Sequence, residues 1–138
     1  MREAIWEYWQ PEVVIKSIKA KAMVNLEKAC EMIVIKIQDS MMESKSGLIY
    51  ILEGIGSHQA SAPGESPAFR YGELYDNVEY RIEDRGDELV GVIGVNLDSD
   101  DIGYAMYLEI GTKFMEQRPY IRSTVFENES EILKILGA

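Results

Sequence analysis

Residues 11–41 read PEVVIKSIKAKAMVNLEKACEMIVIKIQDSM, and from Ile15 the apolar positions step on by threes and fours through Ile18, Ala22, Leu26, Ala29, Ile33, Ile37 and Met41. That spacing lines one face of a helix. Pro11 suits the first turn, where its missing N–H would be unpaired anyway. Glu12 near the start and Lys36 late in the run both match the helix dipole. At 1.5 Å per residue, about 30 residues make a rod of about 45 Å. A compact domain of this length has a radius of gyration near ~14 Å. Part of the helix is therefore expected to project, or to pack against another copy. The apolar stripe also widens at residues 13–15 and 29–35, more than one small sheet can cover.

Working outward from the helix, Gly47-Leu-Ile-Tyr-Ile-Leu52 is a short β-like run. Residues 53–67, EGIGSHQASAPGESP, hold three glycines and two prolines and read as a long loop. A loop of that length in a small domain is functional or ordered only on binding. Residues 68–75 suit a turn of helix. Val78-Glu-Tyr-Arg-Ile82 alternates apolar and polar, Asp84-Arg-Gly-Asp87 is a turn with Gly86 free to take positive φ, and Leu89-Val-Gly-Val-Ile-Gly-Val95 is the returning strand. The glycines of that strand mark close approach or a bulge. Residues 103–110 have helical spacing and stop at Gly111, a C-terminal cap. Pro119 is expected to open the last helix, with Ile121, Val125, Ile132, Ile135 and Leu136 as its apolar face. The class is α+β: one domain over residues 1–138, with a long N-terminal helix, a small antiparallel sheet with a long loop, a short helix and a C-terminal helix.

Composition narrows the function. In 138 residues, Lys plus Arg is 14 and Asp plus Glu is 24, a net charge of −10. Phosphate binding needs a dense basic face, so this balance argues against a nucleic-acid wrapper. One cysteine, Cys30, and one histidine, His58, exclude a disulfide framework and multi-histidine or cysteine-rich metal centres. The longest apolar runs fall far below the roughly 18 residues of a membrane span. MREAIWEYWQPE lacks the basic-then-apolar layout of a signal peptide. A chain that stays inside the cell, or leaves it only as part of something larger, is expected.

Catalytic wording is missing. The acidic turn Asn96-Leu-Asp98-Ser-Asp100-Asp101 has neither the sixth-position glycine nor the twelfth-position glutamate of a calcium loop. His58 lies near Ser57 and Ser61, on a stretch that reads as too mobile for a nucleophile and base. Gly54-Ile-Gly56 and Gly91-Val-Ile-Gly94 lack the Lys-Ser/Thr of a phosphate loop. Cys30 reads as a small core residue. No enzyme, metal or cofactor is expected. The rings of Trp6, Tyr8 and Trp9, in an aromatic arm over residues 1–10, have two readings: packing for the helix start, or an anchor for a partner.

What stands out is Tyr104-Ala-Met-Tyr107-Leu-Glu109-Ile-Gly111-Thr112-Lys113, then Arg118-Pro119-Tyr120-Ile121-Arg122. Upstream lie Ser61-Ala-Pro63-Gly64-Glu-Ser-Pro67 and Tyr71-Gly72-Glu-Leu74. The order resembles the phage morphogenesis family named after the tenth structural gene product of phage HK97. Its pattern is a tyrosine–alanine pair, Glu-x-Gly-Thr, then Arg-Pro-Phe, with an Ala-Pro-Gly loop and a Thr-Gly-x-Leu turn upstream. The resemblance runs over roughly residues 47–125. Tyr71, Tyr120 and Asn77 stand where that family usually has threonine, phenylalanine and serine.

The resemblance implies a structural virion protein of a long-tailed phage, made in the host cytoplasm and carried in the neck or tail. Such a protein forms a ring at the head–tail junction that terminates the tail tube, joins tail to head, or both. A hexamer is favoured because tail tubes are six-fold. Its partners would be copies of itself, the tail tube protein and the head-side connector or stopper, with no membrane. DNA would pass through the lumen without specific binding, helped by the acidic charge. Candidate subunit or partner contacts are Trp6, Trp9, His58, Ser61, Pro63, Glu109, Thr112, Arg118 and Arg122. Glu109 is either a solvated helix residue or the partner of Arg118 or Arg122 on a neighbouring subunit. Arg118, held extended before Pro119, is expected to reach outward, Thr112 to bond the following loop, and Tyr104 and Tyr107 to sit in the core. The alternative is an acidic cytoplasmic protein-binding or regulatory module without catalysis.

Overall fold

The first long run of apolar spacing becomes helix α1, Pro11–Met42. In this computed structural model, residues 11–52, 56–67, 73–97 and 103–137 are described. Trp6 and Trp9, Tyr71, Gly72 and most of the acidic turn after Leu97 lie outside them. The C-terminal half of α1 buries Ala29, Cys30, Ile33, Ile37 and Met41, the last three of which meet Val78, Leu108 and Tyr120 in the core. Its last carbonyls would be orphaned. Lys45 folds back to supply donors: its Nζ lies 2.6 Å from the Ser40 carbonyl and 2.6 Å from Ser66 Oγ, which itself donates to the Ser40 carbonyl at 2.7 Å.

After α1 come strands β1 (Ile49–Leu52) and β2 (Gly56–Gln59), helix α2 (Glu73–Asp76), strands β3 (Val78–Asp84) and β4 (Leu89–Val95), then helices α3 (Gly103–Ile110), α4 (Arg122–Glu127) and α5 (Glu129–Leu136). The class is α+β, as the sequence implies. The expected single small sheet is instead two separate antiparallel pairs, β1–β2 and β3–β4.

The β3–β4 hairpin follows its sequence closely, pairing Val78 with Val95 and Asp84 with Leu89. Asp84 Oδ1 accepts the Gly86 N–H at 3.0 Å and closes the turn. The hairpin lies along α1, and its tip meets the helix through Lys19 Nζ and Asp84 Oδ2, 2.8 Å apart. Gly91 permits this approach: a Cβ there would stand 2.5 Å from Cys30 Sγ. Close backbone approach is therefore the reason for that strand glycine.

Two boundaries differ from the sequence reading. Residues 53–67 are not one mobile loop, since Gly56–Gln59 pairs with β1 in the register Tyr50 to His58. The ladder continues beyond the strands, with Gly47 N–H on the Ala60 carbonyl and Ala60 N–H on the Leu48 carbonyl, each at 2.9 Å. Glycine and proline content signalled a turn and hid a short hairpin around it. The last helix begins not at Pro119 but at Arg122, and it breaks at Asn128, whose φ is −109° and ψ 16°. The Tyr120 and Ile121 N–H groups are committed to Glu109 instead.

Candidate functional site

Helix α3 presents Glu109 on its inner side, and the carboxylate is buried, 9% exposed. Gly111 stops α3 with φ +75°, and a Cβ at that position would come within 2.8 Å of the Gln117 backbone nitrogen. Only glycine meets both demands. Thr112 Oγ1 then accepts the N–H groups of Phe114 and Met115, each at 3.2 Å, and holds a tight turn. The Arg118 N–H returns to the Leu108 carbonyl at 2.6 Å. The chain thereby folds back onto α3 and aims the start of α4 at Glu109.

Glu109 receives that helix start. Its Oε2 accepts the Tyr120 N–H at 2.9 Å and the Ile121 N–H at 3.0 Å, and its Oε1 accepts the Arg122 N–H at 2.9 Å. These are the donors a helix N-terminus leaves unpaired. The Arg122 side chain closes the site, with Nε on Glu109 Oε1 at 3.0 Å and Nη2 on the Glu109 carbonyl at 2.8 Å. Burial would raise the carboxyl's pKa, but the three backbone donors and the guanidinium outweigh it and hold it below the ordinary carboxylate range. Burial and the Glu109 charge push the Tyr120 hydroxyl up; that hydroxyl donates to the Ala105 carbonyl at 3.1 Å.

Both expectations for Glu109 are thus corrected. It is not solvated, and its arginine partner is Arg122 of its own chain, because α3 and α4 are brought side by side by the Gly111–Thr112 turn. Arg118 is corrected too: its Nε donates inward to the Ser61 carbonyl at 3.2 Å and its Nη1 to the Glu116 carbonyl at 3.3 Å. Tyr107 is not core but 46% exposed, since α3 turns Leu108 and Glu109 inward. Thr112 bonds the following loop as its sequence context implies. The Tyr104 side chain lies outside the described residues.

The loop that carries Ser61 and Pro63 is pinned rather than free. The Gly64 N–H donates to the Gln117 carbonyl at 3.0 Å, and the Ala62 N–H to Glu65 Oε2 at 2.8 Å. Glu65 also takes the Ser46 hydroxyl and the Ser46 N–H, the latter at 3.1 Å. These bonds, the Ser46 hydroxyl foremost, bring its pKa down to about 2. Ser61 is buried and Pro63 exposed at the turn. His58 is half-buried in β2 and faces Tyr50 across the hairpin. Glu109, Ser61, Thr112, Arg118 and Arg122 are therefore brought together as one internal brace. His58 and Pro63 lie apart from it.

The exposed apolar surface lies elsewhere. Leu48, Ile49, Tyr50 and Ile51 are 72%, 66%, 51% and 92% exposed in succession. The β1–β2 hairpin packs substantially on none of the other described elements. Successive strand residues point to opposite faces, so both faces of β1 offer apolar surface. No residue from Ser46 to Leu52 is charged. Sequence reading registered this run only as a strand. Its lack of alternation was the available signal, because a two-stranded sheet cannot bury both faces itself. Further exposed groups are Phe114 on the Thr112 turn at 88%, Phe126 at 78%, and Ile15 and Ile18 of α1 at 62% and 64%.

Among the described residues no group of three or more His, Cys, Asp or Glu side chains is placed to hold a metal ion, and no helix is long and apolar enough to cross a membrane. Cys30 is buried, and burial raises its pKa. Neither a family model, nor a curated protein, nor a solved structure matches this chain.

Proposed function

We propose that this chain is a structural virion protein of a long-tailed phage. It forms a ring at the head–tail junction that terminates the tail tube, joins it to the head, or both. The observation that carries the reading is the uncharged strand β1, with Leu48 to Ile51 facing solvent on a chain of net charge −10. An exposed apolar strand with a free edge is a liability in a lone subunit and an adhesive in an assembly. Helix α1 agrees, since it is apolar on more sides than its own chain covers.

The resemblance to the phage morphogenesis family supplies the setting. Its words have concrete jobs here: Glu109 starts α4, Gly111 stops α3, Thr112 sets the turn, and Arg118 ties that turn to the loop at Ser61. They form a rigid body from which the hairpin and α1 extend toward neighbours. In this reading the copy number is six, the tail tube and the head-side connector are the other partners, and the acidic charge keeps passing DNA from adhering.

The test is negative-stain microscopy of particles made after deleting the gene from its phage or prophage. Filled heads beside unattached tails, some of irregular length, are the expected result. Normal infectious virions would overturn the proposal and leave an acidic protein-binding module as the better account.

A further inference from the structure

The β1–β2 hairpin has little of its own to hold it. Leu48, Ile49, Tyr50 and Ile51 face solvent, and the pair bears substantially on no other described element. Each strand is four residues long, and an isolated two-stranded hairpin is marginal in water. What orders it must lie where its two chains leave the body.

Those exits are densely bonded. Lys45 and Ser46 stand on the incoming chain, residues 61–66 on the outgoing one. Glu65 joins the two: its carboxylate accepts the N–H and the hydroxyl of Ser46 from the incoming side and the Ala62 N–H from the outgoing side. Bonds to an ionised acceptor are roughly twice as strong as neutral ones. Beside it the two backbones touch, since a Cβ at Gly47 would stand 2.5 Å from the Ala60 carbonyl oxygen and 2.7 Å from that of Ser61. The outgoing chain is then tied to the body. Arg118 Nε donates to the Ser61 carbonyl at 3.2 Å, and the Gly64 N–H donates to the Gln117 carbonyl at 3.0 Å. Lys45 Nζ and Ser66 Oγ both donate to the Ser40 carbonyl in the last turn of α1.

All of these bonds are polar and lie at one end of the hairpin. Helix α1 and β3–β4 are held instead by the apolar cluster around Ile33, Ile37 and Val78. Parts of a fold that few buried contacts hold open at lower free energy than its core. We propose that β1–β2 is a separately opening arm, latched at its base: Glu65 staples its two chains together, Arg118 fixes the outgoing chain to the turn after α3, and loss of either lets the arm open while the core stays closed. Arg118 is thereby a positioning residue that links the arm to the Glu109 brace, since its own N–H is held by the Leu108 carbonyl. The latch decides whether Leu48, Ile49, Tyr50 and Ile51 are presented on a formed hairpin or on loose chain. It operates in a single subunit, so it stands or falls separately from the ring reading.

The test is amide hydrogen exchange, read by mass spectrometry on the full chain and diluted until rates no longer depend on concentration. In the wild type, β1 and β2 are expected to exchange faster than residues 33–41 of α1 and than β3–β4, yet slower than an unstructured chain. Glu65→Ala and Arg118→Ala should each speed β1 and β2 by about ten-fold or more, and α1 and β3–β4 by less than about two-fold. Glu65→Gln, which keeps an acceptor oxygen, should fall between the wild type and Glu65→Ala. Unchanged rates in β1 and β2 of both alanine variants would overturn the latch. Wild-type strands that exchange as freely as an unstructured chain, or acceleration spread equally over α1 and β3–β4, would overturn the separate arm.

Discussion

Glu109 and Ile51 sit in regions that treat their side chains in opposite ways. Around Glu109 the chain satisfies itself: a buried carboxylate takes three backbone N–H groups and one guanidinium, all from Tyr120, Ile121 and Arg122, where its own next helix begins. Around Ile51 it does not, and four apolar side chains in a row face water beside a polar strand. The first region spends charged groups on holding the body rigid. The second leaves apolar groups in the open, where its own chain does not cover them. The contrast teaches that the charged residues in the most distinctive wording of this sequence brace its own fold, whereas its plainest wording, LIYIL, stays uncovered by its own chain.

The contrast is broken most severely by removing Glu109. Glu109→Ala strips the acceptor from three N–H groups and leaves Arg122 without its partner. A loss of about 3 kcal/mol in unfolding free energy is expected by denaturant titration. A loss under 1 kcal/mol would mean that water substitutes and that the brace is not structural.

Gly111→Ala should cost about 2 kcal/mol, from a left-handed backbone and a Cβ placed 2.8 Å from the Gln117 nitrogen. The same denaturant titration reads it, and a neutral result would show that the turn relaxes freely.

Acid sharpens the comparison next. Because the folded carboxyl of Glu109 is held below its ordinary value of 4.5, its stabilisation is complete above that value and fades as pH falls through the folded one. Glu65, at about 2, adds a contribution of the same sign. Thermal melts of the wild type should therefore drop steadily below pH 4.5, and Glu109→Gln should show a shallower fall. Parallel curves would remove Glu109 from the acid response.

Ile51→Ser sits at the far end of the scale. A change within about 0.5 kcal/mol is expected for the isolated subunit, as for surface positions generally. Assembly, read by native mass spectrometry, should be lost. A destabilised monomer would mean that the hairpin belongs to the body after all.

Much of the framework was legible because periodicity is a one-dimensional trace of burial. Ile33, Ile37 and Met41 announced the buried face of α1, and Val78 to Val95 announced a hairpin with its turn at Gly86. Gly111 and Thr112 were readable as a stop and a turn, since each acts within a few residues. Glu109 was readable as a special residue but not as an internal one. Its role depends on α3 and α4 lying side by side, a tertiary fact with no local trace. Arg118 misled for the same reason, because the Ser61 carbonyl it meets is 57 residues away. The β2 strand was obscured by glycine and proline around it, and Tyr107 by a helix too short for its periodicity to fix an inner side.

The most direct measurement is gold labelling of intact virions with an antibody against this chain, viewed by electron microscopy. The account predicts gold at the head–tail junction, absent from the capsid wall and the tail tip. Gold confined to the tail tip or capsid, or virions that bind none while the host cytoplasm retains the protein, would contradict it.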